Sequence, residues 1–95
     1  MAERTVEVAS SVGLHARPAA LFTQAAAAAG VAVTIGRPGD EPVNAASVLG
    51  VLSLGVSHGE QVVLAADGEG ADDALQQLVD LLSQDLDAEE SAAGS

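Results

Sequence analysis

The spacing of apolar positions switches between two and about 3.6 residues along the chain, and this predicts the order of its elements. Residues 4–9 alternate, with Val6 and Val8 on the buried face of a strand and Thr5 and Glu7 on the other. The predicted strands are residues 4–9, 31–37, 41–45 and 60–66, and the predicted helices are residues 16–29, 47–53 and 72–86. This order predicts an α+β open-faced sandwich, in which a four-stranded antiparallel sheet carries three helices on one face.

In each of several predicted elements, one stripe of mainly apolar residues is expected to face the core. The stripes comprise Ala19, Phe22, Thr23 and Ala26 in the first helix, Val31, Val33 and Ile35 in the second strand, and Leu75, Leu78, Val79, Leu82 and Leu86 in the last helix. Gly30 is placed to end the first helix. Pro42 lacks a backbone donor, so the third strand is expected at a sheet edge.

Composition limits the classes of function. The chain has 95 residues, a net charge of −11, no cysteine and only three strong cations, Arg4, Arg17 and Arg37. We expect one domain over residues 1–87, followed by an acidic, disordered tail over residues 88–95. Such a charge argues against nucleic acid and membrane partners, and the lack of a signal core or apolar span predicts a cytoplasmic protein with no membrane insertion. Arg4 and Arg37 are interpreted as surface residues near strand ends.

The clearest chemical signal lies in residues 13–19, where His15 stands directly before a predicted helix. Pro18 fits only in the first turn of a helix, so the helix must begin close to His15. A helix N-terminus attracts anions, and its positive field should lower the pKa of His15 and favour the neutral, nucleophilic imidazole. The N–H groups of Ala16 and Arg17 and the Arg17 guanidinium can then bind a phosphate, while Gly13 permits a tight turn into the site. The pattern predicts a histidine that accepts and passes on a phosphoryl group.

A second signal surrounds Ser47, at the start of the predicted helix 47–53. Ser47 suits the N-cap, where its oxygen accepts a bond from an N–H of the first turn. Val51 and Leu54 can face the core, while apolar residues on the other face, Val48, Leu49 and Leu52, are left for a partner or for deeper burial of the whole helix.

Residues 13–19 and 44–55 together resemble the HPr family, the histidine-containing phosphocarriers of the bacterial phosphoenolpyruvate-dependent sugar phosphotransferase system. The resemblance extends over roughly residues 3–87. It implies that Nδ1 of His15 takes a phosphoryl group from phosphorylated enzyme I and passes it to a sugar-specific IIA domain. Arg17 would hold the phosphate, and no cofactor or metal would be required.

The resemblance also implies a docking surface and a regulatory site. Val48, Leu49 and Leu52 match the family's docking patch, together with Ala20 and Leu21 from the first helix. Ser47 matches the serine that a kinase modifies in some bacteria, so a serine kinase, a phosphatase or a transcriptional regulator is a further candidate partner. Ala46 stands where many relatives carry lysine, which leaves apolar contact to supply more of the interface.

Two alternatives share these residues. The protein could serve a regulatory or nitrogen-linked branch of the same relay, which its IIA partners would reveal. It could instead be a passive anion-binding domain, which would bind phosphate without covalent labelling.

Metal binding is weakly supported, because His15 and His58 are the only histidines and lack ligand spacing. His58 is interpreted as an exposed turn residue, and a monomer is the simplest state for a carrier that docks to two partners in succession.

Overall fold

A computed structural model describes residues 2–9, 13–14 and 16–84. Strands and helices alternate along the chain as the periodicity predicts. The elements are β1 (Ala2–Glu7), α1 (Ala16–Ala27), β2 (Val33–Gly36), β3 (Val43–Asn44), α2 (Val48–Ser53), β4 (Gln61–Ala66) and α3 (Ala71–Leu82).

The four strands form one sheet in the order β1-β4-β2-β3, and each neighbouring pair is antiparallel. The last strand in sequence therefore lies inside the sheet, between β1 and β2. Helix α1 packs against both α2 and α3, and α3 packs on β1 and β4. The four-stranded antiparallel open sheet with three helices is confirmed.

One face of the sheet forms one side of the core, and the helices form the other. Ile35, Val62 and Leu64 are fully buried, whereas Glu3 and Thr5 on the opposite face of β1 are exposed. The alternation follows from the pleat, which directs successive side chains to opposite sides. From the helices, the buried stripes are Ala19, Phe22, Thr23 and Ala26 of α1 and Leu75, Leu78 and Leu82 of α3, as predicted.

Several strands differ in extent from the predictions. β1 spans Ala2–Glu7 rather than residues 4–9, because it pairs residue for residue with β4 from Ala66 to Gln61. Val8 lies beyond this ladder and is still buried, as its apolar character indicates. β2 is shorter than predicted, and β3 is reduced to Val43–Asn44 beside Pro42, which cannot donate to a ladder.

The helices end earlier than the periodicity suggested. α1 ends at Ala27, and Gly30 follows with a φ of +82°. α3 ends at Leu82, with Ser83 as its C-cap. Leu86 and the tail 88–95 lie outside the described residues, so the domain boundary at residue 87 stays a prediction. Among the helices that are described, none is long and apolar enough to cross a membrane.

Candidate functional site

Helix α1 begins at Ala16, directly after His15 in the sequence. Arg17 is its second residue and has an exposed side chain, and Pro18 is its third and is fully buried. The prediction that the helix begins close to His15, with Pro18 in its first turn, is confirmed. His15 itself lies outside the described residues. A first turn directs N–H groups out of the helix end, and His15 directly precedes that end in the sequence.

The backbone just before His15 is held against the loop that follows α2. The N–H of Leu14 donates to the carbonyl of Val56 at 3.0 Å, and the Leu14 side chain is buried. Gly13 has a φ of +70°, and a Cβ at this position would lie 2.4 Å from the Val56 oxygen. Only glycine combines this φ with so close an approach, which confirms the tight turn expected at Gly13.

The largest exposed apolar side chains of the described residues come from two helices. Their exposed fractions are 36% for Leu21, 43% for Val48 and 82% for Leu49. Ala20 and Leu52 are half-buried beside them. We call Ala20, Leu21, Val48, Leu49 and Leu52 the apolar patch. Because α1 packs against α2, residues from two separate sequence segments contribute to this exposed surface.

The two faces of α2 divide as predicted except at Leu52, which was expected on the exposed face but is half-buried and packs against the core. Val51 is fully buried, and Leu54, just after the helix, is half-buried and packs against the core. Val48 and Leu49 remain exposed, so the alternative in which the whole helix is buried is wrong. The exposed face is therefore available for contact with a partner.

Arg17 connects the start of α1 to the apolar patch. It precedes Leu21 by four residues in the same helix, and residues at this spacing lie on one face. Both side chains are exposed. The two predicted sites therefore adjoin along the surface of α1.

Ser47 caps α2. Its backbone is extended, and its Oγ accepts a hydrogen bond from the N–H of Gly50 at 3.1 Å. The predicted N-cap role is confirmed, and phosphorylation of Ser47 stays a prediction.

A network around Arg37 was not predicted from the sequence. This residue does follow a strand, but it is tied into the structure rather than being a simple surface residue. Its Nε donates to the carbonyl of Leu54 at 3.0 Å, and its Nη2 donates to that of Gly55 at 2.8 Å. Its guanidinium also forms a two-point ion pair with the Glu60 carboxylate, which in turn accepts from the N–H of Ser57 at 2.7 Å. Only the scarcity of cations in the chain hinted that Arg37 is important.

Arg4 also differs from its prediction. It lies within β1 rather than near its end, and its Nη2 contacts Asp72 of α3 at 3.3 Å. His58 lies in an exposed turn, as predicted. The described residues hold no group of three or more His, Cys, Asp or Glu side chains arranged for a metal ion.

The Arg37 ion pair makes the stability of the fold depend on pH. The hydrogen bond from Arg37 lowers the pKa of Glu60 below its ordinary value of 4.5, and the Ser57 N–H lowers it further. A carboxyl group with a lowered folded-state pKa stabilises the fold above its unfolded pKa, and this contribution is lost as the pH falls through the folded pKa.

We expect Glu60→Gln to flatten the acid part of the stability profile. Below pH 4.5 the free energy of unfolding should fall less steeply in the variant than in the wild type, because the variant has no carboxylate to protonate. Denaturant titrations from neutral to acid pH measure this slope. Glu41→Gln, which removes an exposed carboxylate elsewhere, controls for the change in net charge. Identical slopes for Glu60→Gln and the wild type would contradict the prediction.

Comparison with known proteins places the chain in a family. Residues 2–84 match the family model of the PTS HPr component phosphorylation site. The phosphocarrier protein HPr of Streptomyces coelicolor is 54% identical over 87 residues, which cover 92% of this chain and 94% of that protein.

Solved structures agree with this match. A crystal structure of HPr-C-His from Thermoanaerobacter tengcongensis superposes with a TM-score of 0.81 at 44% identity, covering 86% of this chain and 91% of that one. A crystal structure of an HPr dimer from the same organism has a TM-score of 0.65 at 44% identity, covering 85% of this chain and 92% of that one. Sequence and fold agree over nearly all of the described residues, and we conclude that the chain belongs to the HPr family and has the role of a phosphocarrier of the phosphotransferase system.

Proposed function

We propose that this phosphocarrier accepts a phosphoryl group on Nδ1 of His15 from phosphorylated enzyme I and passes it to sugar-specific IIA domains. The observation that carries the proposal is the start of α1 at Ala16, directly after His15 in the sequence, with exposed Arg17 in the first turn. In each transfer the bond from phosphorus to the donor atom breaks as the bond to the acceptor atom forms. The carrier is therefore regenerated at every cycle and is not an enzyme in the usual sense.

The start of α1 suits both chemical states of this histidine. A positive helix end disfavours the imidazolium, which leaves Nδ1 with the lone pair needed for attack. After transfer, the same field and the N–H groups of Ala16 and Arg17 favour the phosphate. The Arg17 guanidinium adds charged donors in a fork that matches phosphate oxygens. Pro18 contributes no donor, and it fixes the backbone of the turn in helical geometry.

The apolar patch is the proposed docking surface for both enzyme I and the IIA domains. It adjoins Arg17 along α1, so a partner seated on it would lie over the start of the helix. The chain contains no lysine, and its net charge is −11, so basic side chains on the carrier can supply little of the attraction. We propose a monomer as the active form, because successive partners must use the same surface.

We expect Leu49→Asp to impair docking without disturbing the fold. Leu49 is 82% exposed, so the free energy of unfolding should change by less than about 0.5 kcal/mol. An aspartate is also tolerated there, because Leu49 is the second residue of α2. A charge in the centre of an apolar interface should raise the KM of enzyme I for this carrier about tenfold. Steady-state transfer rates measure this value.

Gln77→Asp is the matched control for this substitution. It adds the same charge at an exposed position of α3, outside the apolar patch, and should leave the KM unchanged. Equal KM values for Leu49→Asp and the wild type would show that enzyme I does not dock at this patch.

Intact-protein mass spectrometry tests the proposed function directly. The protein is incubated with phosphoenolpyruvate and enzyme I, and then a IIA domain is added. We expect one acid-labile phosphoryl group on the carrier, followed by its loss to the IIA domain. No label on the carrier, with enzyme I shown to be active on another HPr, would overturn the proposal and favour passive anion binding.

A further inference from the structure

We propose that Arg37 and Glu60 form a positioning pair for the phosphoryl-transfer site, acting through the loop of residues 54–60. We call residues 54–60 the bracing loop. The inference rests on the proposed role of His15 and adds two residues that are remote from it in sequence.

A short segment of the chain, residues 9–13, connects Val8 to Leu14 and leads to His15. The bracing loop is hydrogen-bonded to Val8 before this segment (the near side) and to Leu14 after it (the far side). On the near side, the N–H of Val8 donates to the Glu60 carbonyl at 2.9 Å, and the N–H of Gly59 donates to the Val8 carbonyl at 2.9 Å. On the far side, the N–H of Leu14 donates to the Val56 carbonyl at 3.0 Å. The bracing loop therefore anchors Leu14 at one end of this segment, and at the other end it shares the anchoring with α3, whose Leu82 carbonyl accepts the N–H of Ala9 at 3.0 Å.

Arg37 holds the bracing loop at three of its residues. Its guanidinium donates to the carbonyls of Leu54 and Gly55 and pairs with the carboxylate of Glu60. The same carboxylate accepts the N–H of Ser57, next to the Val56 carbonyl that binds Leu14. These contacts connect the end of β2 to both ends of the loop. A planar guanidinium can bridge several acceptors at fixed angles, which the single ammonium of lysine cannot.

The pair also connects the helix of the proposed docking surface to the backbone that precedes His15 in the sequence. The bracing loop begins at Leu54, the C-cap of α2, and α2 carries Val48 and Leu49 of the apolar patch. Arg37 therefore ties the end of the docking helix to the loop that anchors Leu14. Phosphoryl transfer depends on close alignment of nucleophile and donor, and displacements on the order of 1 Å can cost about a hundredfold in rate. A loose bracing loop should slow transfer after docking, rather than weaken docking itself.

The test compares Arg37→Ala and Arg37→Lys with Arg4→Ala, at a temperature where every protein is folded. Arg4 is the matched control, because it is a second ion-paired arginine, and its carboxylate partner, Asp72, belongs to α3 and not to the bracing loop. Three quantities are measured: kcat and KM for acceptance from enzyme I, and the hydrogen-exchange rate of the Leu14 amide. The Val62 amide within β4 serves as an internal reference for global opening.

For Arg37→Ala we expect kcat to fall about tenfold with KM changed less than about twofold, and Leu14 exchange to rise about tenfold relative to Val62. Arg37→Lys should be intermediate, since it retains the charge without the fork, and Arg4→Ala should match the wild type. If Arg37→Ala does not fold, Arg37→Lys and Glu60→Gln provide the same comparison.

A lower free energy of unfolding with wild-type kcat and wild-type Leu14 exchange would overturn the proposal and limit the pair to stability. A wild type that takes no phosphoryl group would instead count against the proposed function. In that case the Leu14 exchange rate still reports whether Arg37 positions the backbone before His15.

Discussion

His15→Ala is expected to take no phosphoryl group from enzyme I. Alanine offers no lone pair for attack on phosphorus, and the chain has only one other histidine, His58. His58 lies in an exposed turn between α2 and β4 and is followed by a strand, so it has no helix N-terminus directly after it to stabilise the product. The loss should therefore be complete rather than partial. The fold should survive, because α1 begins at Ala16 and the buried stripes of the sheet and helices consist of other residues.

His58→Ala is the matched control for the loss of a histidine, and it should be labelled like the wild type. Mass spectra before and after mild acid treatment measure the labile group, and circular dichroism measures the fold. A folded His15→Ala protein that still acquires an acid-labile group would place the acceptor elsewhere. A folded His58→Ala protein that cannot be labelled would implicate the second histidine.

Gly13→Ala is expected to cost about 3 kcal/mol of stability, the largest loss that we predict for any substitution. An alanine at a φ of +70° is strained by roughly 1 kcal/mol or more. Its Cβ would also lie 2.4 Å from the Val56 oxygen and 2.8 Å from the Ser57 Cα, which are backbone atoms that cannot rotate away. Relief requires the backbone at Gly13 to move, and overpacking of this kind costs about 1 to 3 kcal/mol.

Gly59→Ala separates the two causes of this loss. Gly59 has a φ of +85°, but nothing lies within 4 Å of its added Cβ, so only the conformational cost of about 1 kcal/mol applies. Denaturant unfolding of both variants measures the difference between their losses of unfolding free energy. This difference reports the cost of the contact between the added Cβ of residue 13 and the bracing loop. Equal losses would show that the close approach of Gly13 to Val56 contributes nothing. We also expect Gly13→Ala to slow phosphoryl transfer, since Leu14 and His15 follow the displaced residue.

Much of the fold was predictable because its signals are local. The alternation in β1 and β4 and the 3.6-residue spacing in α1 and α3 each record which side of one element meets the core. The start of α1 was equally local, since Pro18 restricts the backbone within its own turn. The ends of the strands were less predictable, because a strand ends where its partner ends. β1 thus begins and ends with β4, which lies more than 50 residues away in the chain.

The candidate site likewise combines features that are local in the sequence with features that depend on packing. The motif around His15 and Arg17, the cap at Ser47 and the apolar residues of α2 can all be recognised from neighbouring residues. That exposed Leu21 and exposed Val48 and Leu49 lie on two helices that pack against each other is a result of the tertiary fold. The ion pair between Arg37 and Glu60 could not be recognised, because both residues are typical of exposed strand ends until the fold brings them together.

The sequence by itself predicted the element order, the core faces and the residues proposed for the phosphoryl site, because periodicity, proline and capping act over a few positions. Only the tertiary structure decided the strand order and the packing of the two helices that carry the apolar patch. It also decided the hydrogen bond between Leu14 and Val56 and the contact between Arg37 and Glu60 that holds the bracing loop. These features depend on hydrogen bonds and contacts between distant segments. Their geometry exists only once β4 has been inserted between β1 and β2.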